Sequence, residues 1–219
     1  MIIQIYETQS AAEAMALAKL GVDHIGVLVG NGEFPREFSI DQAREIFTGI
    51  PVDHYAVALS LSSDLAFITH IADELQPPIF HLGAAPEGVS PNDIRTLKQR
   101  FPQIHFMRSI PVTGPESIDL AKSYDGVADY LLLDSYKAND KQVGATGQVH
   151  DWLISKAIVQ AVSIPVILAG GLGPDNVADA IRQILPAGVD SKTKTDITGR
   201  ADKDLEKVKQ FVYLARQAL

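Results

Sequence analysis

Short β-branched or apolar runs alternate with amphipathic stretches from one end of this chain to the other, and few folds accept that rhythm. The runs Ile2–Glu7, His24–Val29, His54–Ser60, Pro78–Leu82, Ile104–Ile110, Asp129–Asp134, Pro165–Ala169 and Gly188–Ser191 read as strands. Helical spacing fills the intervals near residues 10–20, 40–48, 63–75, 90–101, 115–124, 151–162, 174–185 and 202–218. Several starts carry local signals. Ser10 ahead of Glu13 fits a capping box, and Pro91, Pro115 and Pro174 stand at expected first helical positions.

Strands separated by helices pair in parallel through right-handed crossovers, and parallel strands need both faces covered. Eight such units in 219 residues suit a single α/β domain, residues 1–219, closed as a (β/α)₈ barrel. The open doubly wound sheet is the competitor. It ordinarily has a glycine-rich first turn, whereas here that turn is Glu7-Thr8-Gln9-Ser10.

The charge balance narrows the partners. Lys and Arg number 19 against 27 Asp and Glu, a net charge of −8, which opposes binding to nucleic-acid phosphates. A few local donors still suffice for a small anion. The absence of cysteine removes disulfides, thiolate ligands and thiol nucleophiles, and the expected location is cytoplasmic. No apolar run approaches the roughly 18–20 residues of a membrane span, so no membrane partner is expected. The six histidines show no metal-ligand spacing, and neither a metal nor a cofactor is indicated.

A barrel of this kind works at the C-terminal ends of its strands, and the polar residues there are the candidates. Tyr6 and Glu7 follow the first strand, Arg36 lies in the second loop, His81 is on the fourth strand and Arg108 on the fifth. Asp134 ends the buried run Tyr130-Leu-Leu-Leu-Asp134, where a carboxyl at a low-dielectric mouth can serve as a general acid or simply cap a loop. Gly170 and Gly171 end the seventh strand, and Lys192, Thr193 and Lys194 follow the eighth. Those two loops are the fold's recurrent phosphate seat; the alternative is a tight turn beside solvated lysines. The long sixth loop carries Gly144 and Gly147 and is a candidate lid. The guanidinium of Arg36 suits a carboxylate.

In this order the motifs resemble the phosphoribosylanthranilate isomerase family of tryptophan biosynthesis over nearly the whole chain. The matching pieces are LGVDHIG from Leu20 to Gly26, Pro35-Arg36 with Ser39, LLLD ending at Asp134, GATGQVHDW from Gly144 to Trp152, and LAGGLGPDNV from Leu168 to Val177. The resemblance implies a cofactor-free Amadori rearrangement of a phosphorylated, carboxylated small molecule by a monomer or homodimer. Asp134 matches the family's acid, Arg36 its carboxylate anchor, and Gly171 with the eighth loop its phosphate seat. The departures are equally specific. The family's K-I-C-G-I-T, whose cysteine is the base, aligns with Gln4-Ile-Tyr-Glu-Thr-Gln9, which puts Tyr6 at the cysteine. A phenol's reference pKa near 10 makes it a poor base. Glu7 is the nearest carboxylate, and it reaches the mouth only if the strand ends before it. Phe80-His-Leu-Gly83 stands for Q-L-H-G, and Lys194 replaces a glycine of the eighth loop. Three functions fit: an isomerase with a substituted base, a paralogue acting on another phosphorylated small molecule, and a non-catalytic ligand-binding homologue.

Overall fold

The computed structural model describes residues 1–135 and 151–218. Its strands are β1 (Ile2–Ile5), β2 (His24–Leu28), β3 (Tyr55–Ser60), β4 (Ile79–Leu82), β5 (His105–Pro111), β6 (Tyr130–Asp134), β7 (Val166–Leu168) and β8 (Gly188–Ser191). The helices are α1 (Ala11–Lys19), α2 (Ile40–Phe47), α3 (Leu65–Leu75), α4 (Pro91–Arg100), α5 (Glu116–Tyr124), α6 (Trp152–Ala161), α7 (Val177–Ile184) and α8 (Leu205–Gln217). Each strand pairs in parallel with the next, and β8 pairs back onto β1, so the sheet is the closed barrel the alternation implies.

Closure sorts the side chains by the period of two. Ile3, Ile5, Ile25, Val27, Phe80, Phe106, Leu131, Leu133 and Leu168 face outward and pack with the buried faces of the helices in one large apolar cluster. Val57, Ile79, Met107, Leu132 and Ile167 face the axis in a second cluster, joined near the mouth by Tyr6 and Ala169. Each fully buried Ile, Leu or Phe contributes roughly 1.5–3 kcal/mol, so the two clusters supply the main driving force for closure.

Local chemistry sets the helix starts, with three differences from the sequence reading. Ser10 accepts from Glu13 N, but the Glu13 carboxylate takes Gln9 N instead of closing the expected box. Complete capping boxes form at Ser39 with Gln42 and at Ser90 with Asp93. Pro174 does not open α7: Asn176 precedes the helix, its side chain accepts from Gly173 N, and Pro174-Asp175 remain in the loop. Pro115 lies just before α5 as its cap residue. β1 stops at Ile5, two residues short of its expected end, because Glu7 turns into a left-handed conformation (φ 60°) and leaves the ladder.

The close approach of Tyr6 to β2 requires glycine at position 26. A Cβ on Gly26 in β2 would lie 2.1 Å from the Tyr6 ring. Gly26→Ala is therefore expected to displace Tyr6 and destabilise the protein by about 1–3 kcal/mol, read as a lower midpoint in urea unfolding.

Candidate active site

The strand ends bring three carboxyl groups to one opening. Asp134 ends β6, Asp190 lies on β8 and Glu7 follows β1; with Tyr6, His81, Ser109 and Lys192 they line a cavity of about 60 Å³ at the mouth. Asp134, Asp190 and Lys192 also border a smaller hollow beside it, floored by Gly170, Gly171 and Leu172 and walled by Thr193 and Lys194. Thr193 and Lys194 continue into an open trough of about 800 Å³ edged by Arg36, Arg200 and Lys207. Three adjoining spaces thus run from the barrel axis to the rim.

The carboxyl groups differ in their surroundings. Burial pushes Asp134 up to about 7, opposed by hydrogen bonds from Ser135 N (2.7 Å) and Ser135 Oγ (3.3 Å). Asp190 is raised well above the carboxylate range, by burial first and by the nearby Asp134 charge second. Gln4 Nε2 donates to its Oδ1 at 3.2 Å. The Gln4 amide is in turn oriented by His24, whose Nδ1 lies 3.1 Å from its oxygen. Glu7, 7% exposed, is flanked by cations instead: Arg36 Nη1 stands 2.9 Å and Lys192 Nζ 3.4 Å from Oε2. Lys192 also reaches Asp196 Oδ2 at 3.1 Å, and Asp196 contacts the buried Lys203.

Tyr6 sits on the cavity floor. Its hydroxyl is 2.6 Å from His81 Nδ1, and His81 Nε2 is 2.7 Å from Ser109 Oγ. Burial lowers His81 to about 3, with the Arg108 charge adding to the effect, so the imidazole is neutral and both nitrogens are hydrogen-bonded. Burial, with Asp190 second, raises the Tyr6 phenol well above 10. A phenol that holds its proton this firmly is unsuited to proton abstraction near neutrality.

The glycine-walled hollow has the chemistry of an anion seat. Gly170 and Gly171 adopt φ of 84° and 66°, conformations open to glycine, and leave bare backbone at the end of β7. Asn176 Nδ2 holds Gly171 O, and Ser191 Oγ holds Leu172 O, so the seventh and eighth loops are tied together. Lys194 points outward to Asp175 at 3.6 Å, whereas Lys192 is the ammonium at the mouth.

Most of the candidates therefore converge: Tyr6, Glu7, His81, Asp134, Gly170, Gly171, Lys192, Thr193 and Lys194 border the first two spaces, and Arg36 edges the third while contacting Glu7. Arg108 does not join them. The pleat turns it outward, where it donates to the carbonyls of Leu82, Ala84 and Ala85 and lies over the Tyr124 ring; it braces the loop after β4. Gly144 and Gly147, with the expected lid, lie outside the described residues. Asp190, Ser109 and Gln4 escaped sequence reasoning; their signal was a polar residue at an inward position of a buried parallel strand. No group of three His, Asp or Glu among the described residues has the arrangement to hold a metal.

Known proteins decide what this geometry belongs to. Residues 3–213 match the model of the N-(5'-phosphoribosyl)anthranilate isomerase family. The chain belongs to that family. The N-(5'-phosphoribosyl)anthranilate isomerase of Methanocella arvoryzae is 34% identical over 215 residues, 98% of this chain and 97% of that protein. The isomerase structure from Pyrococcus furiosus superposes with a TM-score of 0.79 at 25% identity, covering 99% of each chain. A further isomerase structure, solved with reduced 1-(o-carboxyphenylamino)-1-deoxyribulose 5-phosphate, shares the fold with a TM-score of 0.80 at 21% identity, over 99% of this chain and 100% of that one.

The raised carboxyl has a stability consequence. Folded Asp134 holds its proton up to about pH 7, whereas the unfolded chain releases it near the ordinary value of 3.8, so raising the pH across that interval costs stability. Asp134→Asn is expected to raise the melting temperature at pH 7.5, with the gain disappearing below about pH 4, as thermal unfolding across that range measures.

Proposed function

We propose that this protein is a phosphoribosylanthranilate isomerase of tryptophan biosynthesis, a cytoplasmic enzyme working without a cofactor as a monomer or homodimer. Its proposed substrate is N-(5'-phosphoribosyl)anthranilate. The observation that carries the reading is the contrast across one cavity: Asp134 is desolvated and proton-retaining, while Glu7 is flanked by two cations. Paired carboxyl groups in unlike surroundings divide acid and base work.

In this reading Asp134 gives its proton to the ribose ring oxygen as the bond from that oxygen to C1 breaks, leaving a C1–nitrogen iminium. Glu7 removes the C2 proton, and the released electron pair forms the C1–C2 double bond and neutralises the nitrogen. The enol hydroxyl then gives its proton to the Asp134 carboxylate while C1 takes the proton held by Glu7, giving the aminoketone and restoring both carboxyl groups. The phosphate sits against Gly170, Gly171, Lys192 and Thr193, with Lys194 beyond, and Arg36 takes the anthranilate carboxylate. Tyr6 and His81 shape the floor and move no proton.

Loss of fluorescence from freshly made phosphoribosylanthranilate tests the activity directly, and no turnover at high enzyme concentration overturns it. Asp134→Asn and Glu7→Gln are each expected to lower kcat by roughly 10²–10⁴, whereas Tyr6→Phe keeps kcat within about tenfold of the parent. A greater loss in Tyr6→Phe than in Glu7→Gln would return the base to the phenol. Because the acid must be protonated, kcat should fall as pH rises through about 7 and the falling limb should vanish in Asp134→Asn.

A further inference from the structure

The contact between Arg36 and Glu7 is unusual for a surface ion pair. Arg36 stands on the long loop after β2 with its side chain 38% exposed, while the Glu7 side chain is only 8% exposed, at the wall of the mouth cavity. Both residues are held in left-handed backbone conformations, φ 72° for Arg36 and 60° for Glu7. A residue with a side chain adopts such a conformation only where its surroundings impose it. Two strained residues meeting through opposite charges are a built contact. The ion pair, which leaves Glu7 Oε2 without an aligned hydrogen bond, shows how far this guanidinium reaches toward a carboxylate: to the edge of the cavity holding Asp134 and Asp190.

From this geometry we infer that Glu7 is an internal occupant of the carboxylate seat on Arg36, and that a ligand's carboxylate enters by exchanging with it. The inference rests on the proposed function and adds the step that couples recognition to chemistry. An aryl carboxylate arriving at Arg36 takes over the contact at Oε2, and Glu7 keeps Lys192, 3.4 Å away, as its remaining cation. Lys192 is itself anchored by Asp196, so it does not follow the guanidinium. Glu7 Oε2 is then released from the guanidinium while its side chain still lines the mouth cavity. The ligand's own carboxylate thus frees the residue that removes the C2 proton, and a substrate without it leaves Glu7 engaged. Glu7 acts as a specificity residue, selecting a carboxylated aglycone through the chemical step as well as through binding.

Affinity for anthranilate alone, followed by its own fluorescence, tests the exchange in the intact 219-residue chain. Glu7→Gln removes the internal competitor's charge. Glu7→Gly removes the whole side chain and suits the positive φ, so that variant is expected to fold at least as stably as the parent. Both are expected to bind anthranilate at least fivefold more tightly than the parent, and neither should change affinity for the neutral 2-aminobenzamide. In a background carrying Arg36→Met, adding either Glu7 substitution should bring no gain, because the contested seat is gone. Unchanged or weaker anthranilate binding in both Glu7 variants overturns the inference. So does an equal gain with Arg36→Met present, which would reduce Glu7 to a source of general repulsion. Turnover of phosphoribosylanthranilate by the parent, measured on the same preparation, separates the two readings: its absence strikes the proposed function, whereas the anthranilate series judges the exchange.

Discussion

The seam between β1 and β8 is the constraint on which the mouth depends. Four pairs cross it, Ile2 with Gly188, Ile3 with Val189, Gln4 with Asp190 and Ile5 with Ser191. A side chain at Gly188 would meet Ile2 within 2.8 Å, so glycine is what lets the two strands approach at the bottom of the seam. With that register set, the pleat puts Gln4 and Asp190 side by side on the axis and aims Ser191 outward, where it ties the two glycine-side loops. A slip by one residue would send Asp190 into the apolar layer beneath the helices and remove it from the mouth.

Closure also creates the electrostatic contrast within the site. Asp134 and Asp190 face an axis walled by Leu132, Leu28 and Leu59, with little water to solvate a second negative charge, and they respond by holding protons. Glu7 lies in the same wall, but the loops after β2 and β8 deliver Arg36 and Lys192 to it. One opening thus contains a proton-retaining carboxyl and a cation-flanked one, although the chain as a whole is strongly acidic. Beneath them neutral His81, joined to Tyr6 and Ser109, gives the floor satisfied polar groups without adding charge.

Much of the architecture was legible from local pattern. The alternation placed the eight strands and eight α-helices of the described residues because each buries one stripe or face, and periodicity records that. The sites at which the reading failed share a physical cause. Arg108 was placed at the mouth because it lies late in β5, yet the pleat decides its direction, and Met107 and Ser109 take the two neighbouring inward positions. β1 was carried through Tyr6 and Glu7 because their order continues its alternation, and nothing in the composition signals a glutamate at φ 60°. Pro174 was read as opening a helix that begins only after Asn176, at Val177.

The amino-acid order by itself determined the barrel's units, the family motifs and the polar residues available at strand ends, because these follow from the spacing of neighbours along the chain. Only the tertiary structure decided which of them meet. The pairing of Glu7 with Arg36, the support of Asp190 by Gln4 and His24, and the exclusion of Arg108 all depend on ring closure and inter-strand register. Those relations join residues far apart in sequence, through contacts that no local period encodes.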